Sequence, residues 1–109
     1  MRVVILALTA SLWLGGYAHA EDLPNVDVTL KDHRFSPSEI HLKAGQASTL
    51  TIKNEDSTPE EFDSSALKVE KVIPGGRTGI VHLRPLAPGR FPFMGEYHED
   101  TAQGVVIAE

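Results

Sequence analysis

The chain has no cysteine. That excludes disulfides, thiolate nucleophiles, zinc ribbons, iron–sulfur clusters and thiolate-bound copper. A protein of 109 residues must then be held by its apolar core, or helped by a metal. A basic excess is missing as well. Ten Lys and Arg stand against fifteen Asp and Glu, a net charge of −5, which disfavours nucleic acid or an anionic membrane surface as partner. A cation or a basic partner suits that charge. There is no G-x-S-x-G, no Gly-rich phosphate loop and no H-E-x-x-H, so neither a hydrolase nor a transferase is expected. Pro74-Gly75-Gly76-Arg77 is too short to cradle phosphate and reads as a turn.

The long apolar run lies at the start. Met1-Arg2 is basic, an apolar stretch extends from Val3 to Tyr17, and Ala18-His19-Ala20 closes it. This order is that of a secretory signal over residues 1–20 with small residues at the cleavage site. A membrane span is disfavoured because the run is short and no basic stop-transfer cluster follows. The mature domain is then residues 21–109, with nine basic and fifteen acidic residues, a net charge of −6. The only tryptophan, Trp13, leaves with the signal. The expected location is the periplasm.

After residue 20 the pattern is that of strands. Val26, Val28 and Leu30 alternate with polar residues, as do Ile40 and Leu42, and Leu50 and Ile52. Glu61-Phe62-Asp63 is a further short piece, and Glu61 and Asp63 share a face on it. Residues 67–73 fit a strand or a brief helical turn, the strand being preferred. Residues 80–83, Phe91 with Phe93, and residues 105–107 complete the set. Prolines sit at the joints, apart from Pro92, which demands an edge strand or a bulge. About seven short strands with this spacing point to an all-β, antiparallel Greek-key sandwich or barrel.

Several segments resemble a known family. Phe35-Ser36-Pro37-Ser38-Glu39-Ile40-His41-Leu42-Lys43-Ala44-Gly45 is similar to the second-strand signature of cupredoxins. Leu50-Thr51-Ile52-Lys53-Asn54, Leu86-Ala87-Pro88-Gly89-Arg90-Phe91 and Gly104-Val105-Val106 continue it in order. Asp32 ahead of Phe35-x-Pro37, the Glu61-Phe62-Asp63 triplet, and Glu70 ahead of Pro74-Gly75 most resemble the EfeO-type cupredoxin-like domain. The resemblance implies binding of copper or iron, and help in oxidising or delivering ferrous iron beside a ferrous permease or another periplasmic iron-uptake partner.

The same resemblance shows what has been lost. A blue-copper site takes two His, a Cys and a weak axial Met. With His98 as the downstream histidine, the cysteine position is Gly95, the axial position is Ala102, and Glu60 replaces the upstream histidine. No type 1 site is expected. A harder set remains: Glu60 and Glu61 on one strand, Glu96 and His98 on the closing loop, and Asp32 at the end of the first strand. Oxygen with imidazole suits ferrous or cupric ions better than cuprous, and carboxylates favour the higher oxidation state of iron. Each acid also has an ordinary reading, as a solvated charge or a group satisfying turn amides. Glu70 has a structural reading, paired with a nearby Lys or Arg, and Met94 faces away from the core. His33, His41 and His82 read as strand or loop histidines, though His33 could join Asp32 in a second site. The alternative function is a metal-free adaptor for a periplasmic or membrane transport partner, since losing Cys and Met is also how a metal site decays.

Overall fold

The computed structural model describes residues 23–109; the expected signal segment, 1–20, lies outside them. Nine strands form two facing sheets: β1 (Asn25–Lys31), β2 (Arg34–Ser36), β3 (Glu39–Leu42), β4 (Ser48–Asn54), β5 (Glu60–Ser64), β6 (Val69–Ile73), β7 (Thr78–Leu83), β8 (Gly89–Gly95) and β9 (Gln103–Ala108). One sheet runs β2-β1-β4-β7 and the other β3-β9-β8-β5-β6. A 3₁₀ turn, Glu96–His98, is the helical element among the described residues, and no helix there is long and apolar enough to cross a membrane.

The expected strands are present and the architecture is a sandwich. Two features differ from the expectation. The short strand β2, only three residues, carries too little alternation to be seen in the sequence. The sheets are also mixed rather than antiparallel: β1 pairs with β4, and β3 with β9, in parallel. Strand direction is decided by which distant segments bury their apolar faces together, and hydrophobic period is blind to it. The barrel is not closed, because each sheet keeps two edges.

The period-2 side chains of both inner faces make one core, including Leu30, Leu50, Ile52 and Val81 from the first sheet and Ile40, Phe62, Ile73 and Val106 from the second. Phe62 and Phe93 stack at 4.9 Å, and Phe35 meets Phe93 edge-on at 5.2 Å, the offset and edge-to-face arrangements aromatic rings prefer. Residues 65–68 turn rather than extend, so β6 starts later than residue 67. Pro92 does not lie on the expected edge strand, because β8 sits between β9 and β5; it is tolerated where the ladder to β5 stops short. The ladder between β8 and β5 covers only Met94 and Gly95, and the Pro92 carbonyl instead accepts the Ser64 hydroxyl at 2.7 Å. Its missing N–H, on the same side of the strand, therefore interrupts no ladder.

Candidate metal centre

Three connections meet at one end of the sandwich. The first is the β1–β2 turn, Asp32-His33, in which both residues have positive φ (51° and 57°). A two-residue turn of this handedness matches the twist of paired strands, and Asp and His are among the side chains that tolerate it. The second is the loop from Asn54 to Glu60. Asn54 is buried, and its amide donates to the carbonyls of Thr58 at 2.9 Å and Ile73 at 3.1 Å, while its Oδ1 accepts the Asp56 amide at 3.0 Å. The third is the segment after β8, where the amides of Thr101 and Ala102 return to the His98 carbonyl.

Along β5, Glu60, Phe62 and Ser64 face inward and Glu61 and Asp63 outward. Glu60 is thus drawn inside, with 1% of its surface exposed. A carboxylate at that depth must be satisfied. Its Oε1 accepts the amides of Tyr97 at 2.9 Å and Glu61 at 3.1 Å, and its Oε2 contacts His98 Nδ1. The His98 ring lies flat on the ring of His33, centroids 3.5 Å apart and planes 12° off parallel. One donor atom from each of His33, Glu60 and His98 lies within 4.8 Å of the others. His33 and His98 open onto a cleft of about 520 Å³ lined also by Glu96, Tyr97, Glu99, Asp100 and Thr101, with Glu60 buried beneath it.

Space for Glu60 comes from two small residues. A methyl group on Gly95 would lie 2.6 Å from Glu60 Cδ and 2.8 Å from Ala102 Cβ. The carboxylate therefore fills the room that larger side chains at 95 and 102 would need. With no cysteine in the chain there is no type 1 copper site. Two imidazoles and one carboxylate are the donor types that suit a divalent cation of intermediate hardness, such as cupric or ferrous. A bound metal there would supply Lewis acidity or a one-electron couple.

Of the residues singled out in the sequence, Glu60 and His98 come together. Glu61 and Glu96 are brought to each other, on the outer face. A hydrogen bond with the Glu96 carboxyl, then burial, then the charges of Glu96, Glu70 and Asp63 raise the Glu61 carboxyl above its ordinary pKa. Asp32 is exposed and gives its backbone amide, not its carboxylate, to the neighbourhood, donating to Asp56 Oδ1 at 2.8 Å. Glu70 lies opposite Asp63 in the β5–β6 register, and among the described residues it makes no ion pair. Met94 is 38% exposed, facing away from the core. The sequence pattern reads His33 as a strand or loop histidine, or as a partner of Asp32 in a second site, and the folded chain sets its ring on His98 instead. The available signal was Asp-His between two strand residues, a pair suited to a left-handed turn at the sheet's end.

Known proteins resemble this chain in sequence or in fold. An uncharacterized protein of Rickettsia prowazekii (strain Madrid E) is 37% identical over 114 residues, 97% of this chain and 91% of that protein. Auracyanin A, a blue copper protein of Chloroflexus aurantiacus, superposes with a TM-score of 0.69 at 15% identity, over 81% of this chain and all of its own. The metal-binding domain of the Cu(I)-exporting P-type ATPase CopA of Streptococcus pneumoniae D39, solved with Cu(I), gives 0.67 at 14% identity, covering 78% and 84% of the two chains. A copper-binding protein solved in its apo form gives 0.68 at 21%, covering 78% and 86%. The cupredoxin-like domain model matches residues 4–108. The chain belongs to the family of cupredoxin-like domains.

Proposed function

We propose that this chain is an exported, periplasmic cupredoxin-like protein of the EfeO type that binds copper or iron through His33, Glu60 and His98. It serves iron uptake either by assisting the one-electron oxidation of ferrous iron by an external acceptor, dioxygen or a cupric ion, or by delivering ferrous iron to a permease or another periplasmic partner. The observation that carries the reading is the convergence of those three donors beneath an acidic cleft. The surrounding carboxylates concentrate cations at the mouth, the imidazoles supply borderline nitrogen donors, and the buried Glu60 carboxylate supplies the hard oxygen. Negative oxygen donors stabilise Fe³⁺ over Fe²⁺, which makes bound ferrous iron the easier to oxidise.

Calorimetry on the mature chain tests this. Cu²⁺ or Fe²⁺ should bind well below millimolar Kd, and His98→Ala should weaken it by more than about 100-fold, beyond the loss typical of an outer-shell residue. No binding tighter than about millimolar, or unchanged binding in His98→Ala, overturns the reading. Ferrous oxidation followed with and without the protein, and with added copper, then separates oxidation from delivery. The metal-free adaptor has one observation in its favour: Glu60 is already satisfied by His98 and two amides. An inert response to both metals in a folded protein would select it.

A further inference from the structure

We propose that Asp56 is a positioning residue for His33: its carboxylate clasps the β1–β2 turn and holds the imidazole stacked on His98. The proposal deepens the metal-site reading and rests on it only for its metal-binding arm.

The placement begins with register. β1 and β4 run in parallel with Leu30 opposite Asn54, and the Glu55 amide donates to the Leu30 carbonyl at 2.8 Å. The turn after β1 therefore emerges beside the residues that follow β4. Asp56 meets it there. Oδ1 accepts the Asp32 amide at 2.8 Å, Oδ2 accepts the His33 amide at 3.0 Å, and Oδ2 also lies 3.4 Å from His33 Nδ1. These two amides belong to the residues with positive φ, so one carboxylate satisfies the donors of the strained turn and orients the ring it carries.

Asp56 is itself fixed. Its amide donates to Asn54 Oδ1, and its carbonyl accepts the Gly76 amide at 2.9 Å. Burial pushes its carboxyl pKa up, but the amides of His33 and Asp32, then the imidazoles of His33 and His98, more than offset this and leave it below the ordinary value. A single span from Asn54 to Glu60 thus carries one ligand directly and steers a second through Asp56. Metal-binding histidines commonly have such a carboxylate partner, and losing it costs about 10–100-fold in affinity.

The test uses Asp56→Ala and the milder Asp56→Asn, each alone and with His33→Ala. In the metal-free protein, NMR of the imidazole carbons and protons reads the stack directly. Both Asp56 variants should lose the upfield ring-current displacement on His98, as His33→Ala does. Calorimetry with Cu²⁺ should show about a 10–100-fold loss for Asp56→Ala when His33 is present. In the His33→Ala background the same change should cost less than about twofold, whereas a residue that merely supported the fold would cost as much in both. His98 ring signals unmoved by either Asp56 variant, or equal losses in both backgrounds, would overturn the proposal. Should the parent protein bind no Cu²⁺, the metal-site reading fails and the metal-free NMR arm alone decides the role of Asp56.

Discussion

Replacing Gly95 by alanine isolates the feature on which this site is built. The backbone there is ordinary, φ −90° and ψ 107°, so alanine fits it. By chain entropy alone the change would stabilise the fold by about 0.4–1 kcal/mol. The surroundings reverse the sign. The new methyl would sit 2.6 Å from Glu60 Cδ, 2.8 Å from Glu60 Oε1 and 2.8 Å from Ala102 Cβ. Glu60 is a flexible side chain, but its carboxylate is buried and held by two amides and His98, so yielding means giving up charge-assisted hydrogen bonds. Overpacking costs about 1–3 kcal/mol, and a lost hydrogen bond to a charged group about 1.5–3 kcal/mol. After the entropic gain, a net loss of about 2–5 kcal/mol is expected, a fall in Tm of roughly 10 °C or more for a domain of this size. Thermal unfolding by circular dichroism measures it. Glu60→Ala should recover part of the Gly95→Ala penalty, because the carboxylate is then no longer in the way. Equal or greater stability of Gly95→Ala, or a penalty unchanged in the Glu60→Ala background, would refute the argument that the missing side chain at 95 makes room for Glu60. By the same geometry, Gly95→Cys alone should not yield a copper–thiolate charge-transfer band, since the thiol competes with Glu60 for one space.

Other perturbations address the frame. Asn54→Ala removes a buried amide that ties Thr58, Ile73 and the Asp56 amide together. It should cost about 2–4 kcal/mol in urea unfolding, since several partners lose their hydrogen bond at once. Away from the cleft, the pKa of His41 is raised, first by its hydrogen bond to Glu109 and against partial desolvation. A group whose folded pKa lies above its unfolded one stabilises most below the unfolded value. The His41–Glu109 contribution is therefore complete below about pH 6.5 and is lost as pH rises through the folded value. Glu109→Gln should flatten that part of the stability–pH curve.

The alternation of apolar residues made the strands legible, because a half-buried strand writes its face into every second position. The absence of cysteine was equally decisive, since no fold can supply a thiolate the chain lacks. Charge told the character of the cleft for the same reason: acids absent from the core must lie on the surface or find partners. Even the opposition of Glu60 and Glu61 was contained in the strand period, which sends neighbours to opposite faces. What it could not say was which face the site would use. Phe62 and the core decided that, by drawing Glu60 inward beside His98. His33 shows the limit most plainly. Its arrival at the site depends on β1 lying parallel to β4 with Leu30 opposite Asn54, which sets residue 33 beside residue 56, and on the facing of the two sheets, which brings the ring to His98. Local pattern carries the periodicity of each strand, while the pairing of remote strands is chosen by the packing of the whole core, so only the folded chain could place the second imidazole on the first.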